Sequence, residues 1–302
     1  MEGVLAESYQ RCRALHRAHG RTYYLATRLL PREKRRHVHA LYGFTRYADE
    51  IVDAAGAATP DERAGALKEW SERFLAGLAG APVDDPILPA VLHTIRAYDL
   101  DHDDFARFLA SMAMDLTVTR YETYDDLLGY MDGSAAAVGT MMLPILGPRD
   151  RAAATGPARQ LGLAFQLTNF IRDVREDLTR GRIYLPLADL RRFGIGEADL
   201  FAAGAAGVTP PEIRDLIRYE TGRAQRHYAL ARPGIGMLAR SSQACMRTAY
   251  LAYGAILDEV ARSGYDVLAA RAVVPTSRRL KLAATSLLGR GDLPVPGPVL
   301  PG

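Results

Sequence analysis

Tryptophan occurs once and cysteine twice in 302 residues. Cys12 and Cys245 form no CxxC or metal-ligand spacing, which argues against a disulfide framework and fits a reducing cytoplasm. No run of eighteen apolar residues appears, and the opening MEGVLAESYQRC lacks the apolar stretch of a signal peptide, so any membrane contact is expected to be peripheral. Basic residues are not interleaved with aromatics, so nucleic acid is not an expected partner. There is no GxGxxG fingerprint, and no Ser/His/Asp or Cys/His apparatus. His16 with His19, and His37 with His39, are short spacings on a basic arm and read as surface histidines rather than ligands.

The net charge is only +3, but it is unevenly spread: residues 1–47 hold ten Lys/Arg against three Asp/Glu, and residues 49–126 hold six against seventeen. The basic arm reads as solvated helix faces, a rim that attracts diphosphate, or a contact with anionic membrane. With 48% hydrophobic residues the chain can bury a large core. Stretches such as AGALKEWSERFLAGL and PPEIRDLIRYETGRAQRHYALA repeat apolar residues at three and four, and strand signals are scarce. Pro and Gly breaks divide the chain into roughly ten expected helices, an all-α domain over 1–288. The Gly/Pro-rich 289–302 is expected to fray as a flexible tail.

Two stretches put carboxylates on one helical face. In QLTNFIRDVRED, Gln166, Asn169, Asp173 and Asp177 follow at steps of three, four and four; in LYGFTRYADEIVD, Tyr42, Arg46, Asp49 and Asp53 follow at four, three and four. Carboxylates about 6 Å apart repel by roughly 3 kcal/mol at an effective dielectric near 20. One such face alone reads as solvated. Two, the one at Asp49 and Asp53 flanked by Leu41, Phe44, Ile51 and Val52, read as buried and in need of divalent cations. Two Asp with an amide neighbour suit Mg²⁺, which prefers a few carboxylates plus substrate phosphates to a complete protein cage. Between these faces, YMDGSAAAVGTMMLPILG places small side chains where a core helix would use Leu or Ile. That is either close helix packing, with a kink ending at Pro144, or room for a long apolar ligand.

FTRYADEIVD, YMDGSAAAVGT and QLTNFIRDVREDLTRGRIYLP, with TYYLATRLLP, RYETYDDLLGYM and VVPTSRRLKLA, resemble the squalene and phytoene synthase family over about Thr22 to Leu282. The resemblance implies a single-domain isoprenoid synthase fold, a helical bundle around an apolar cavity. It implies a prenyltransferase that joins two prenyl diphosphates head to head through a cyclopropylcarbinyl diphosphate. Two geranylgeranyl diphosphates giving phytoene is the first expectation, as in carotenoid biosynthesis. Squalene, dehydrosqualene or presqualene diphosphate from farnesyl diphosphate is the alternative, and a single-substrate terpene cyclase or a non-catalytic assembly protein are others. On these residues it implies Mg²⁺, or Mn²⁺ in its place, at Asp49, Asp53, Asn169, Asp173 and Asp177; NADPH enters only in the squalene branch. Tyr42, Arg46, Tyr184 and Tyr250 are the implied catalytic residues. Thr22, Tyr23, Tyr130, Ser134, Ala135, Gly139, Gln166 and Arg172 are the implied substrate contacts, with Arg172 turned off the Asp173 face. The first motif reads Asp-Glu where many relatives read Asp-Asp, and Asp132 is expected at the solvent.

Overall fold

The structure, a computed structural model, describes residues 2–53, 59–287 and 293–296. Fourteen α-helices run among them: α1 (Glu2–His19), α2 (Arg21–Thr27), α3 (Arg32–Val52), α4 (Pro60–Leu78), α5 (Leu88–Tyr98), α6 (His102–Met114), α7 (Tyr124–Met131), α8 (Ala137–Leu146), α9 (Arg151–Thr179), α10 (Leu187–Arg192), α11 (Glu197–Ala206), α12 (Pro211–Met237), α13 (Arg240–Arg262) and α14 (Thr276–Leu287). A five-residue π-turn, Asp132–Ala136, joins α7 to α8 without a break. The described residues contain two isolated bridges and no strand. No described helix is long and apolar enough to cross a membrane.

Local chemistry explains the boundaries. Thr59 with Glu62 and Thr123 with Asp126 form reciprocal caps that start α4 and α7. Pro144 does not end its helix; α8 continues to Leu146 and stops at Gly147, whose φ of 68° is the left-handed turn that favours glycine. The helix count exceeds the expectation of ten because a single residue such as Gly20 separates α1 from α2, a break too short to read as a loop.

One core cluster joins α7, α9, α12 and α13; a second joins α1, α3, α4, α5, α6 and α8. The lone Trp70 anchors the second: its ring lies 5.0 Å from Phe44, and its Nε1 donates to Asp85 Oδ2 at 3.1 Å. The expectation of surface histidines fails here. His16, His37 and His39 are buried. The His16 ring stacks on Tyr42 at 4.1 Å while its Nδ1 meets His39 Nδ1 at 2.9 Å, and His37 Nδ1 meets the hydroxyls of Tyr9 and Thr94. Burial depresses their pKa values, to about 3 for His16 and about 4 for His37 and His39, so these rings pack as neutral polar core. Of the tail 289–302, only 293–296 are described, and there Leu293 is buried, its carbonyl accepting from Arg232. The rest of that expected flexible tail lies outside the described residues.

Candidate active site

A cavity of about 1130 Å³ runs through the bundle between α2, α3, α8, α9, α12 and α13. α9 lines it from Ala154 to Asp177, a wall about 34 Å long at 1.5 Å per residue. Phe165, Leu161, Leu143, Leu146 and Ile235 make its interior apolar. The small-residue run serves both of its readings. Ser134, Ala135 and Gly139 line the cavity, and Gly139 also lets backbones approach, because a Cβ there would sit 2.4 Å from the Ala158 carbonyl oxygen. The Ser134 hydroxyl is buried without a partner. Asp132 lies off the cavity, paired to Arg159 at the surface.

The polar end is set by two helix C-termini. Asp49 sits in the last turn of α3 and Asp177 in the last turn of α9, and neither turn holds a basic residue. Helix C-termini already carry about half a negative charge each, so carboxylates there sharpen a site for positive charge. Burial lifts Asp49 to about 7, reinforced by Asp53 and offset in part by Arg46; burial and then Asp173 lift Asp177 to about 7. The other two aspartates are neutralised by arginine. Gly181, at φ 71°, turns the chain after α9 so that Arg180 and Arg182 both reach Asp53 at 3.1 Å. Asp173 accepts from Arg172 Nε at 2.7 Å and from Arg271 Nε at 2.8 Å. Arg172 thus faces its neighbour, contrary to the expectation that it turns away. Arg46 bonds Glu50 at 3.0 Å.

Sixteen of the seventeen implied site residues line this one cavity: Thr22, Tyr23, Tyr42, Arg46, Asp49, Asp53, Tyr130, Ser134, Ala135, Gly139, Gln166, Asn169, Arg172, Asp173, Asp177 and Tyr184. Tyr250 does not. It is fully buried against α12, its hydroxyl donating to the Tyr228 carbonyl at 3.2 Å. Tyr253, three residues on, takes the place: its hydroxyl donates to Asn169 Oδ1 at 2.8 Å and its ring stacks on Tyr23 at 4.6 Å. Sequence reasoning also missed Asp115, which accepts from Tyr130 at 2.7 Å and Tyr184 at 3.2 Å and is raised by burial to about 6. A lone Asp outside any spacing pattern gives no signal. Arg180 and Arg182 did lie inside the long signature and could have been marked by following Asp177.

The donor set fits a hard cation. Carboxylate and amide oxygens are the groups Mg²⁺ takes, and no ion pair occupies Asp49 or Asp177 among the described residues. No three His, Cys, Asp or Glu side chains among the described residues converge as a complete metal cage.

The raised aspartates make a prediction with a definite sign. Their folded pKa lies above the ordinary 3.8, so their contribution to stability is full below that value and is lost as pH rises through about 7. Ligand-free protein in EDTA should lose this contribution between pH 4 and 7, and added Mg²⁺ should raise Tm more at pH 8 than at pH 6. Equal Mg²⁺ shifts at both pH values in thermal melts would contradict it.

The sequence profile described as squalene/phytoene synthase matches residues 16–279. The chain belongs to this family. It is 36% identical over 293 residues to a phytoene synthase of Arthrospira platensis, covering 91% of each chain. It is 38% identical over 285 residues to a 15-cis-phytoene synthase of Synechocystis, covering 91% of this chain and 82% of the relative. Among solved structures, a dehydrosqualene synthase in complex with a ligand superposes with a TM-score of 0.85 at 25% identity, covering 94% of this chain and 97% of that one. A squalene synthase from Alicyclobacillus acidocaldarius gives 0.76 at 29% identity, covering 86% and 95%. Membership makes the chain a prenyltransferase, and its bundle the isoprenoid synthase fold.

Proposed function

We propose that this enzyme condenses two prenyl diphosphates head to head in a Mg²⁺-dependent reaction, and that its substrate is geranylgeranyl diphosphate and its product phytoene. The observation that carries the reading is one cavity, apolar along α9 from Ala154 to Phe165 and lined at its other end by four aspartates and their arginines. The names of the Arthrospira and Synechocystis relatives support the C20 substrate.

Asp49, Asp53, Asp173, Asp177 and Asn169 are the residues that would hold Mg²⁺, which when bound acts as a Lewis acid on the leaving diphosphate. Arg46, Arg172, Arg180, Arg182 and Arg271 stand at the same end and suit bidentate contacts to diphosphate oxygens. Leu161, Phe165, Leu143 and Ile235 keep water from an allylic cation and hold the second chain against it. The Tyr130 and Tyr184 hydroxyls hold Asp115 by two hydrogen bonds at the cavity wall, where a carboxyl titrating near 6 can accept or return a proton.

The dehydrosqualene synthase neighbour favours the second reading, a C30 product from farnesyl diphosphate. Incubation with Mg²⁺ and either the C15 or the C20 diphosphate, with and without NADPH, separates the two by chromatography with mass detection. A C40 hydrocarbon from the C20 substrate alone is expected. A C30 product, formed in preference, would replace the phytoene assignment.

A further inference from the structure

His16 lines the cavity, is 1% exposed, and has no hydrogen-bond partner at Nε2. A buried ring nitrogen left unpaired costs stability, so its presence calls for a use. Packing accounts for the rest of the ring. One face stacks on Tyr42 at 4.1 Å, Tyr24 lies edge-on at 5.5 Å, and Nδ1 meets His39 Nδ1 at 2.9 Å. The two nitrogens of an imidazole point to nearly opposite sides of the ring. His39 stands outside the cavity lining, so with Nδ1 turned to His39 the Nε2 edge turns back toward the cavity. Gly20 keeps that edge clear, because a Cβ there would sit 2.8 Å from Cδ2, the carbon beside Nε2.

The contact between the two Nδ1 atoms needs one hydrogen between them. When His16 supplies it, His16 Nε2 is a bare lone pair on the cavity side and His39 carries its own hydrogen at Nε2. Burial keeps both rings neutral at rest, with each ring lowering the other or being lowered further by Arg13 and Arg35 on the His39 side. A proton placed on this pair does not stay there. Its way out is His39, which is 6% exposed against 1% for His16. The pair thus joins the cavity to the outer side of its wall. Its depth is set by Tyr42, which stands seven residues before Asp49 on α3, about 10 Å along the axis at 1.5 Å per residue. Val38 and Leu41 line the same section, so the lone pair faces apolar cavity away from the aspartates.

The condensation put forward above, on which this inference rests, produces protons. Joining two geranylgeranyl diphosphates into phytoene releases two diphosphates and two protons, each proton leaving its C–H electron pair in the hydrocarbon. Asp115 acts electrostatically on Asp49 and Asp53, at the diphosphate end, and suits the proton lost while a diphosphate still tethers the chain there. The other leaves a cation that has parted with both diphosphates and is held by apolar walls alone. We propose that His16 Nε2 takes this last proton, and that His16 and His39 together pass it through the cavity wall to water. The C–H bond beside the cationic carbon breaks, its electron pair closes the new C=C bond, and the proton bonds to Nε2. The Nδ1 proton moves to His39, and the Nε2 proton of His39 goes to water. Both rings are then neutral in the other tautomer, and they reset by exchange with water once product has left the cavity.

The test follows diphosphate release and C40 products separately, in single turnovers of the full chain with Mg²⁺ and geranylgeranyl diphosphate. His16→Gln keeps a hydrogen bond toward His39 but cannot relay a proton. It should release diphosphate within about threefold of the parent rate and form phytoene about 100-fold more slowly, the loss typical of a missing general base. C40 alcohols, from capture of the cation by water, should take the place of phytoene. His39→Gln should shift products the same way, and His16→Phe gives the same reading with the hydrogen bond removed. Circular dichroism melts show whether each variant is folded. Phytoene formed by His16→Gln at the parent rate would overturn the proposal. So would diphosphate release and phytoene falling together with Tm, since the pair would then be structural. A parent that forms no C40 hydrocarbon overturns the substrate reading and this one with it, and that failure is seen in the parent before any variant is made.

Discussion

Asp49→Ala should lose turnover by at least about 100-fold while the protein keeps its helical circular dichroism and melts no lower than the parent in EDTA. The first part follows from the role of the group: removing one preorganised electrostatic contact to developing charge costs on the order of 100-fold to 1000-fold, and a metal ligand more. The second follows from its surroundings. Asp49 is raised to about 7 by burial, with Asp53 and Asp115 pushing it further, so in the ligand-free protein its charged form is resisted by the fold. Deleting it at pH 8 removes that resistance. Asp173→Ala should lose turnover to a similar degree but melt lower, because Asp173 now holds Arg172 and Arg271, and its loss leaves Arg271 only the longer pair to Glu176 at 3.4 Å. Measured Tm and initial rates on both variants test the pair. If Asp49→Ala unfolds, the residue is structural and the site has been misread.

Arg223→Ala should be the most destabilising substitution away from the cavity, at about 3–5 kcal/mol, the range for breaking a buried charge pair. The Arg223 guanidinium is buried and donates to Asp189 at 2.8 Å and Glu220 at 2.6 Å, and it lies 3.9 Å over the Tyr124 ring. Glu220 is 1% exposed. Burial already lifts its carboxyl to about 7, with Arg223 holding it down; without the arginine it rises further. The variant should therefore suffer less at pH 6, where Glu220 can take a proton, than at pH 8. At about 2 °C per kcal/mol the fall in Tm at pH 8 is roughly 6–10 °C by calorimetry. A fall under 2 °C at both pH values would mean that solvent reaches the pair.

Some of this could be read in the residues and some could not. Periodicity suffices for an all-α chain because each helix repeats its apolar side locally, and the two aspartate faces are legible because spacings of three and four fix a common side whatever lies opposite. The partner of each face is not local. Nothing near Asp53 in sequence predicts Arg180 and Arg182, which arrive from 127 and 129 residues away. So the repulsion that pointed to several cations is relieved in part by arginine. Tyr250 and Tyr253 show a finer limit. They sit less than one turn apart on α13, and which of the two meets the cavity depends on how α12 packs, with Tyr228 drawing the Tyr250 hydroxyl away. The histidines failed for the same reason: His16 is covered by Tyr42 and His39, residues of another helix.

The π-turn at Asp132–Ala136 sets the phase of everything after it. Its Ala137 N–H reaches back five residues to the Asp132 carbonyl, so one residue more than an α-turn needs is accommodated without breaking the rod. Upstream of it Tyr130 meets Asp115; downstream Val138, Gly139 and Met142 line the apolar wall. Losing a single residue from this turn would let the segment relax into plain α-helix and rotate α8 by about 100° relative to α7. Val138 and Met142 would swing out of the cavity together while Tyr130 kept its hydrogen bond. The shape of the apolar wall is therefore open to change by length at one point of the chain, in one step, in a way that no single substitution along α8 can imitate.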